Sequence, residues 1–379
     1  MRDTTSPPLS FIDLQAQRAR ISSDIDNAIA RVLEHGAFIM GPEVAEVEDQ
    51  LAKRAGVKHC LSCASGTDAL VLPLMAADIG PGDGVLVPSF TFTSSAEVIA
   101  LRRATPVFVD IDPHTFNMDP SNLEAALQAA TRANITVRAI MTVDLFGQPA
   151  DFDPIREFAE QHGLWILDDG AQSFGAFYKG SPVGSLGRVT GTSFYPSKPL
   201  GCYGDGGAVL TDDTALYERM KNMRVHGNGG GSAKAESLGL TARFDSIQAA
   251  ILLQKLKIFD DECEKRNVVA QRYHAGLNDV VQTPQVIDGA TSVWAQYTVV
   301  SEQRDLIVER LSADNIPTAV FYKNPLHTHK PYAGFPVAGN GLPVTEKIAA
   351  QVVSLPMHPY LMPEAQDRVI AAVRAALKA

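Results

Sequence analysis

An alternation constrains this chain more than any other feature. Through the first two thirds, short apolar runs bounded by turn residues alternate with stretches of helical periodicity. The runs fall at 85–87, 107–109, 139–143, 165–167 and 208–210. Each is short and predominantly apolar, the pattern of strands covered on both faces, as in a parallel sheet. Helical stretches at 120–130, 154–162 and 214–223 separate them. The expected class is therefore α/β, with a mainly parallel sheet between helical layers.

Residues 12–34 place Ile12, Leu14, Ile21, Ile25, Ile29, Val32 and Leu33 at helical spacings and read as an opening amphipathic helix. A long helix is expected over 245–274, its length suited to joining a large domain, 1–255, to a smaller C-terminal α/β domain, 256–379. The last third adds strand-like runs at 297–300 and 318–321 and an amphipathic helix from Pro363. Glycines at 227 and 229–231 loosen the segment 226–237, which reads equally as a linker or an active-site loop. At 379 residues the chain has room for two or three domains.

Composition narrows the function classes. Lys and Arg number 33 against 43 Asp and Glu, a net charge of −10, which argues against a nucleic-acid groove. Four cysteines cannot staple so long a chain, and the lone Cys60-Leu-Ser-Cys63 reads as a buried strand end rather than a metal or redox site. No run of 18 apolar residues suggests a membrane span, and the first eight residues carry no apolar leader, so a soluble, cytoplasmic protein is expected. No strand leads into a G-x-G-x-x-G with an acidic residue about 20 positions on, so a NAD-linked oxidoreductase has little support.

Four features could carry chemistry. Lys198 stands in a nearly uncharged, Gly- and aromatic-rich stretch, 193–207. Partial desolvation there would lower its pKa and free a neutral amine for Schiff-base chemistry. Ser65-Gly66-Thr67 turns a strand-like run into a helix, where unpaired amides and the helix dipole make an anion site, or simply an N-cap. Asp168 and Asp169 end a hydrophobic strand; neighbours on a strand point to opposite faces, so only one can meet a given ligand. Phe90 and Phe92 share a face after another strand and could stack on a planar ring or pack in the core. Turn, aromatic, carboxylate and lysine, in that order, form the parts list of a pyridoxal 5′-phosphate (PLP) enzyme.

Nearly the whole chain resembles the DegT/StrS-type sugar-nucleotide aminotransferases, PLP enzymes of fold type I. The likeness rests on Phe11-Ile-Asp-Leu14, Ser65-Gly-Thr-Asp-Ala-Leu70, Pro88-Ser-Phe-Thr-Phe92, Asp169-Gly-Ala-Gln172, Ser193-Phe-Tyr-Pro-Ser-Lys198, Gly204-Asp-Gly-Gly207 and Pro325-Leu-His327. Residues 196–207 and 354–360 are most like the members that aminate C3 of a UDP-linked 2-acetamido-3-oxo-hexuronate. The resemblance implies that Lys198 binds PLP covalently and shuttles protons, and that Asp169 pairs with the ring nitrogen. It further implies that Gln172 meets the ring hydroxyl, that Phe92 stacks on the ring, and that Gly66, Thr67 and Ser193 hold the phosphate. Glutamate as amino donor, a UDP-linked keto-sugar as acceptor, a homodimer with shared sites and a role in surface polysaccharide or O-antigen synthesis follow from the same likeness.

Two positions depart from the family pattern. The family's G-x-N-x-R, supplied by the neighbouring subunit, here reads Gly239-Leu-Thr-Ala-Arg243, so Thr241 stands for the usual Asn. Phe321 stands before Tyr322 where the nearest relatives carry His. Arg243, Tyr322 and His327 are the substrate candidates, and two histidines, His327 and His329, make a poor metal site. Competing readings are C3 amination of UDP-3-oxo-N-acetylglucosamine, C4 amination, a family dehydratase, which would carry His in place of Lys198, and a non-catalytic sensor or scaffold.

Overall fold

The computed structural model describes residues 9–228 and 234–378. Seven strands form one sheet: β1 (His59–Cys63), β2 (Asp83–Pro88), β3 (Thr105–Val109), β4 (Thr136–Val143), β5 (Trp165–Asp169), β6 (Val189–Ser193) and β7 (Gly207–Thr211). Their order is β1-β7-β6-β5-β4-β2-β3. Strands β6, β5, β4, β2 and β3 pair in parallel, and only β7 runs against its neighbours β1 and β6. The central strands are almost wholly buried, which is why their sequences lack polar alternation.

Helices cover the sheet. The first eight are α1 (Leu14–Arg20), α2 (Ser22–His35), α3 (Pro42–Ala55), α4 (Gly66–Ala76), α5 (Ser94–Leu101), α6 (Leu123–Arg132), α7 (Phe152–His162) and α8 (Thr214–Met223). Local chemistry fixes their ends. Pro42 opens α3, and Gly56, at φ +66°, closes it by donating its N–H to the Ala52 and Lys53 carbonyls. Ser65 caps α4, its Oγ accepting from the Asp68 amide at 3.0 Å.

Beyond the sheet come α9 (Ser246–Leu256), α10 (Phe259–Leu277), α11 (Arg304–Ala313), α12 (Pro343–Gln351) and α13 (Pro363–Ala376), with an antiparallel pair of strands, β8 (Tyr297–Val300) and β9 (Val352–Leu355). A separate hydrophobic cluster gathers here, from Tyr273 and Leu277 of α10, Val299, Leu355, and Val369 and Val373 of α13. A further cluster bridges the two sheets, with Phe90, Phe116, Val143 and Phe146 on one side and Val300, Ile348 and Val352 on the other.

Several expectations need correction. The helix expected over 245–274 is two helices, α9 and α10, parted at Lys257 and Ile258. The opening helix is likewise broken at Ile21, whose φ of −128° is not helical. Residues 318–321 form no strand but a single bridge, Ala319 to Ser354. Strand β6 went unpredicted, because Val189-Thr-Gly-Thr-Ser193 has no apolar run. Cys60 and Cys63 are buried in β1, as expected. Glycines 229–231 of the loose segment lie outside the described residues. Among the described residues, no helix is long and apolar enough to cross a membrane, and no group of three metal-binding side chains occurs.

Candidate active site

Register brings the chemistry together. Cys63 pairs with Gly207 and Gly207 with Ser193, so the ends of β1, β7 and β6 lie level. The turn after β1 therefore starts α4 directly against β6: a Cβ on Gly66 would meet Ser193 Cβ at 2.7 Å and its Oγ at 3.0 Å. Only glycine fits there. Thr67 follows, its Oγ1 2.9 Å from Ser94 Oγ. The start of α4 thus presents backbone amides beside two hydroxyls, Thr67 and Ser193, the arrangement that holds a phosphate.

Five residues past Ser193, Lys198 sits in a turn whose backbone is tied by its own N–H to the Tyr195 carbonyl at 2.8 Å. The side chain is half-buried. Burial pushes its amine below the ordinary lysine range, and the Asp169 carboxylate pulls the other way. Asp169 ends β5 and is buried; its Oδ2 accepts from Ser95 Oγ at 2.7 Å and its Oδ1 from the Ala171 amide at 3.3 Å. Burial raises this carboxyl, against the Ser95 hydrogen bond and the Lys198 charge, so a cationic partner would stabilise it further.

Its neighbour faces the other way. Asp168 accepts from Thr142 Oγ1 at 3.0 Å and Thr190 Oγ1 at 3.2 Å, inside the sheet. Burial pushes Asp168 up to about 7, with Thr142 opposing and the Asp169 charge adding to the rise. Burial, and then the charge of Asp168, raise Asp144 as well. These two carboxyls form a buried group behind the one that faces Lys198. The alternation of adjacent strand residues is resolved: Asp169 faces the lysine.

Gln172 follows on the same loop. Its Oε1 accepts from the Phe146 amide at 2.8 Å and its Nε2 donates to Tyr322 Oη at 3.3 Å. Tyr322 packs edge-on to buried Phe90, 6.1 Å away at 81°, and lies 6.4 Å from Phe92, which is 54% exposed. Phe90 is therefore core, and Phe92 is the ring free to stack.

The family model described as "DegT/DnrJ/EryC1/StrS aminotransferase family" matches residues 19–374. The chain belongs to this aminotransferase family. A UDP-2-acetamido-2-deoxy-3-oxo-D-glucuronate aminotransferase of Pseudomonas aeruginosa is 48% identical over 93% of this chain and 96% of its own. A solved aminotransferase of the family from Brucella abortus, 46% identical, superposes with a TM-score of 0.96 over 98% of this chain and all of its own. A Bacillus subtilis protein, 26% identical, was solved with bound cofactor PMP; its TM-score is 0.87 over all of this chain and 87% of its own.

PLP is the cofactor of this aminotransferase family, and the residues present fit it. The Gly66 contact with Ser193 leaves a cradle that any Cβ would fill. The buried Asp169 carboxyl lacks a cationic partner strong enough to bring it to its ordinary range.

Not every aminotransferase candidate joins the cluster. His327 Nδ1 lies 2.8 Å from Ser89 Oγ and its Nε2 3.2 Å from Glu346. Since Ser89 Oγ also accepts from the His327 amide, at 3.1 Å, the hydroxyl donates to Nδ1 and Nε2–H donates to Glu346. Both ring nitrogens are engaged away from Lys198. Thr241 is exposed, with its Oγ1 2.9 Å from His226 Nε2, and Arg243 makes no ion pair among the described residues. Neither hydrogen-bonds to the Lys198 group within one chain.

Sequence reasoning missed Ser95, because a serine opening a helix carries no signal of a carboxylate 74 residues on. It also missed Gln17, Arg266, His358 and Tyr360, which line a small cavity together with Lys198. The runs at 11–14 and 354–360 carried the family resemblance without a role, and here they meet.

Proposed function

We propose that this chain is a PLP-dependent aminotransferase that moves an amino group from glutamate to the C3 keto carbon of a UDP-linked 2-acetamido sugar, a hexuronate by preference. The observation that carries the reading is the desolvated Lys198 amine set against the buried Asp169 carboxyl beside the Gly66–Ser193 cradle. The choice of sugar leans on the 48% identity to the Pseudomonas aeruginosa relative.

PLP, when bound, supplies an electron sink at the substrate carbon. Lys198 Nζ is the amine that attaches the cofactor, since burial disfavours its charged form, and it then carries the proton taken from the donor and given to the acceptor. Asp169, fixed by Ser95, presents its carboxylate to the ring nitrogen and keeps a proton there. Gln172 has its Oε1 engaged by Phe146, so its Nε2 is the atom that donates to the ring hydroxyl. Gly66, Thr67 and Ser193 hold the phosphate, and Phe92 covers the ring.

Thr241 and Arg243 belong to the site of a second copy in this reading, Thr241 reaching the phosphate and Arg243 the sugar nucleotide. Tyr322 contacts the sugar from within the chain, while His327 fixes the segment that carries it. A homodimer, a large domain over 1–255 with a small one over 256–379, a cytoplasmic location and a role in surface polysaccharide synthesis complete the proposal.

Purified protein supplied with PLP is expected to show a visible absorbance band that bleaches with glutamate. Supplying a 3-oxo-uronate, a 3-oxo-hexose and a 4-oxo sugar, each UDP-linked, then separates the acceptors by product. Failure to bleach overturns the aminotransferase reading, and turnover of the 4-oxo sugar alone overturns C3.

A further inference from the structure

Three parts of the chain converge on a small cavity beside Lys198: α1 with its N-cap, through Asp13 and Gln17, α10 through Arg266, and the segment before α13 through His358. The cavity offers about 10 Å3, the space one water molecule requires. It is too small for a carboxylate or a phosphate.

Two of the side chains that line it each carry a buried polar atom with no hydrogen-bond partner among the described residues, Gln17 Oε1 and His358 Nδ1. Both side chains are more than nine-tenths buried, at 8% and 4% exposure. An unpaired buried acceptor loses its hydration without compensation, so two on side chains lining one cavity call for an explanation.

Each is an acceptor. The Gln17 amide cannot be turned round, because its Nε2 donates to both Glu262 oxygens, at 3.2 and 2.9 Å. The His358 ring has one nitrogen turned to the Ser10 backbone, and burial, helped by the Arg266 charge, pushes its pKa down to about 4. It is therefore neutral near pH 7, with a lone pair on Nδ1. The occupant must give two protons and tolerate cations on its other side. Arg266, buried and donating Nη1–H to the Trp294 and Met357 carbonyls, and Lys198 supply those cations.

We propose that Gln17, His358 and Arg266 build a site for one ordered water beside Lys198, and that this water accepts a hydrogen bond from the Lys198 ammonium and thereby raises its proton affinity. The water donates to Gln17 Oε1 and His358 Nδ1, which turns its oxygen toward the two cations. Gln17 and His358 are positioning residues that act on Lys198 through it. The proposal rests on Lys198 as the amine that attaches the cofactor. Other titratable groups around the site are Asp13, Glu262 and Tyr360, with Arg20 beside Tyr360 and Asp169 facing the lysine. They are left unchanged in the test.

The first measurement is a crystal structure of the full chain at a resolution that shows waters. A peak within hydrogen-bonding distance of Gln17 Oε1 and His358 Nδ1 is expected; a dry cavity or a bound ion overturns the proposal. The second is the rate at which cofactor-free protein condenses with PLP, read from the visible band across pH. His358→Leu removes the acceptor, so the Lys198 ammonium loses its partner and the profile moves about one pH unit lower. His358→Asn, which keeps an acceptor at the same reach, leaves it near the wild type.

Gln17→Met is expected to move the profile in the same direction as His358→Leu and serves if the Leu variant does not fold. An unmoved profile in the Leu and Met variants, or equal movement in Leu and Asn, overturns the proposal. Absence of any band in the wild type instead overturns the reading of Lys198 itself.

Discussion

Two lysines in this molecule have been driven below the ordinary amine range by burial, and only one sits in a site. Lys198 is half-buried, opposed by Asp169 and flanked by the Gly66 cradle. Lys255 on α9 is 1% exposed, pushed down to about 8, and its Nζ has no hydrogen-bond partner among the described residues. It lies 4.4 Å over the ring of Tyr203. Desolvation alone therefore makes a reactive amine no more than it makes an unstable one. What distinguishes Lys198 is company: a carboxylate at the end of β5, a helix start with the Thr67 and Ser193 hydroxyls beside its amides, and an exposed ring.

Replacing each lysine breaks the comparison most sharply. Lys198→Ala is expected to abolish the visible band and reduce transamination by about 10⁴-fold or more, with thermal stability little changed. Absorbance and steady-state turnover check it. Asp169→Asn keeps the shape but removes the charge that holds a proton on the cofactor, and turnover is expected to fall by about 10²–10⁴-fold while the band persists. Turnover within a few-fold of wild type would show that the company of Lys198 is not what makes it catalytic.

How much of this the sequence revealed depended on where each partner lay. Lys198, Asp169 and Gly66 stood out because each interrupts a recognisable local pattern: an uncharged stretch, a strand end, a strand-to-helix turn. Between Asp168 and Asp169 alternation says only that they diverge, and the choice of Asp169 came from the family resemblance; the threonines on β4 and β6 that bind Asp168 give it a physical reason. Strand β6 stayed hidden because Thr190 and Thr192 bury their hydroxyls by bonding to Asp168 and the Gly170 carbonyl, satisfying polar groups that usually mark a surface. The break between α9 and α10 was masked by apolar residues that keep a helical period across it, Leu256, Ile258 and Phe259. Ser95, Gln17 and His358 reach the site from distant parts of the chain, and no local pattern announces such a meeting.

Lys255 gives the smaller, opposite test. Its folded pKa of about 8 lies below the ordinary 10.5, so between these values the unfolded chain holds a proton that the folded one has released. Unfolding free energy from this group therefore rises as pH climbs from 8 to 10.5, and below 8 the full cost, about 3 kcal/mol, weighs on the fold. Lys255→Met removes the charge and keeps the stem, at the loss of the contact with Tyr203, for a net gain of about 1–2 kcal/mol at pH 7. Denaturant unfolding at pH 7 and at pH 9.5 checks it; the advantage should shrink at the higher pH. Activity should hold, because nothing of the Lys198 group is touched.

The finest distinction concerns how far the company of Lys198 extends beyond one chain. Thr241 is exposed, and its hydroxyl is already shared with His226 at 2.9 Å. If a second copy brings it to the phosphate, a hydroxyl so engaged has one proton to give, to one partner at a time. An amide has two, on a longer arm. Thr241→Asn is then expected to tighten PLP by about fivefold, the worth of one additional net hydrogen bond of about 1 kcal/mol. Cofactor titration followed by the visible band reads this directly. The same substitution in protein diluted until it is monomeric should have no effect, because the residue then faces solvent. Equal tightening in monomer and dimer would place Thr241 on its own chain's site, and no tightening in either would remove it from the phosphate altogether.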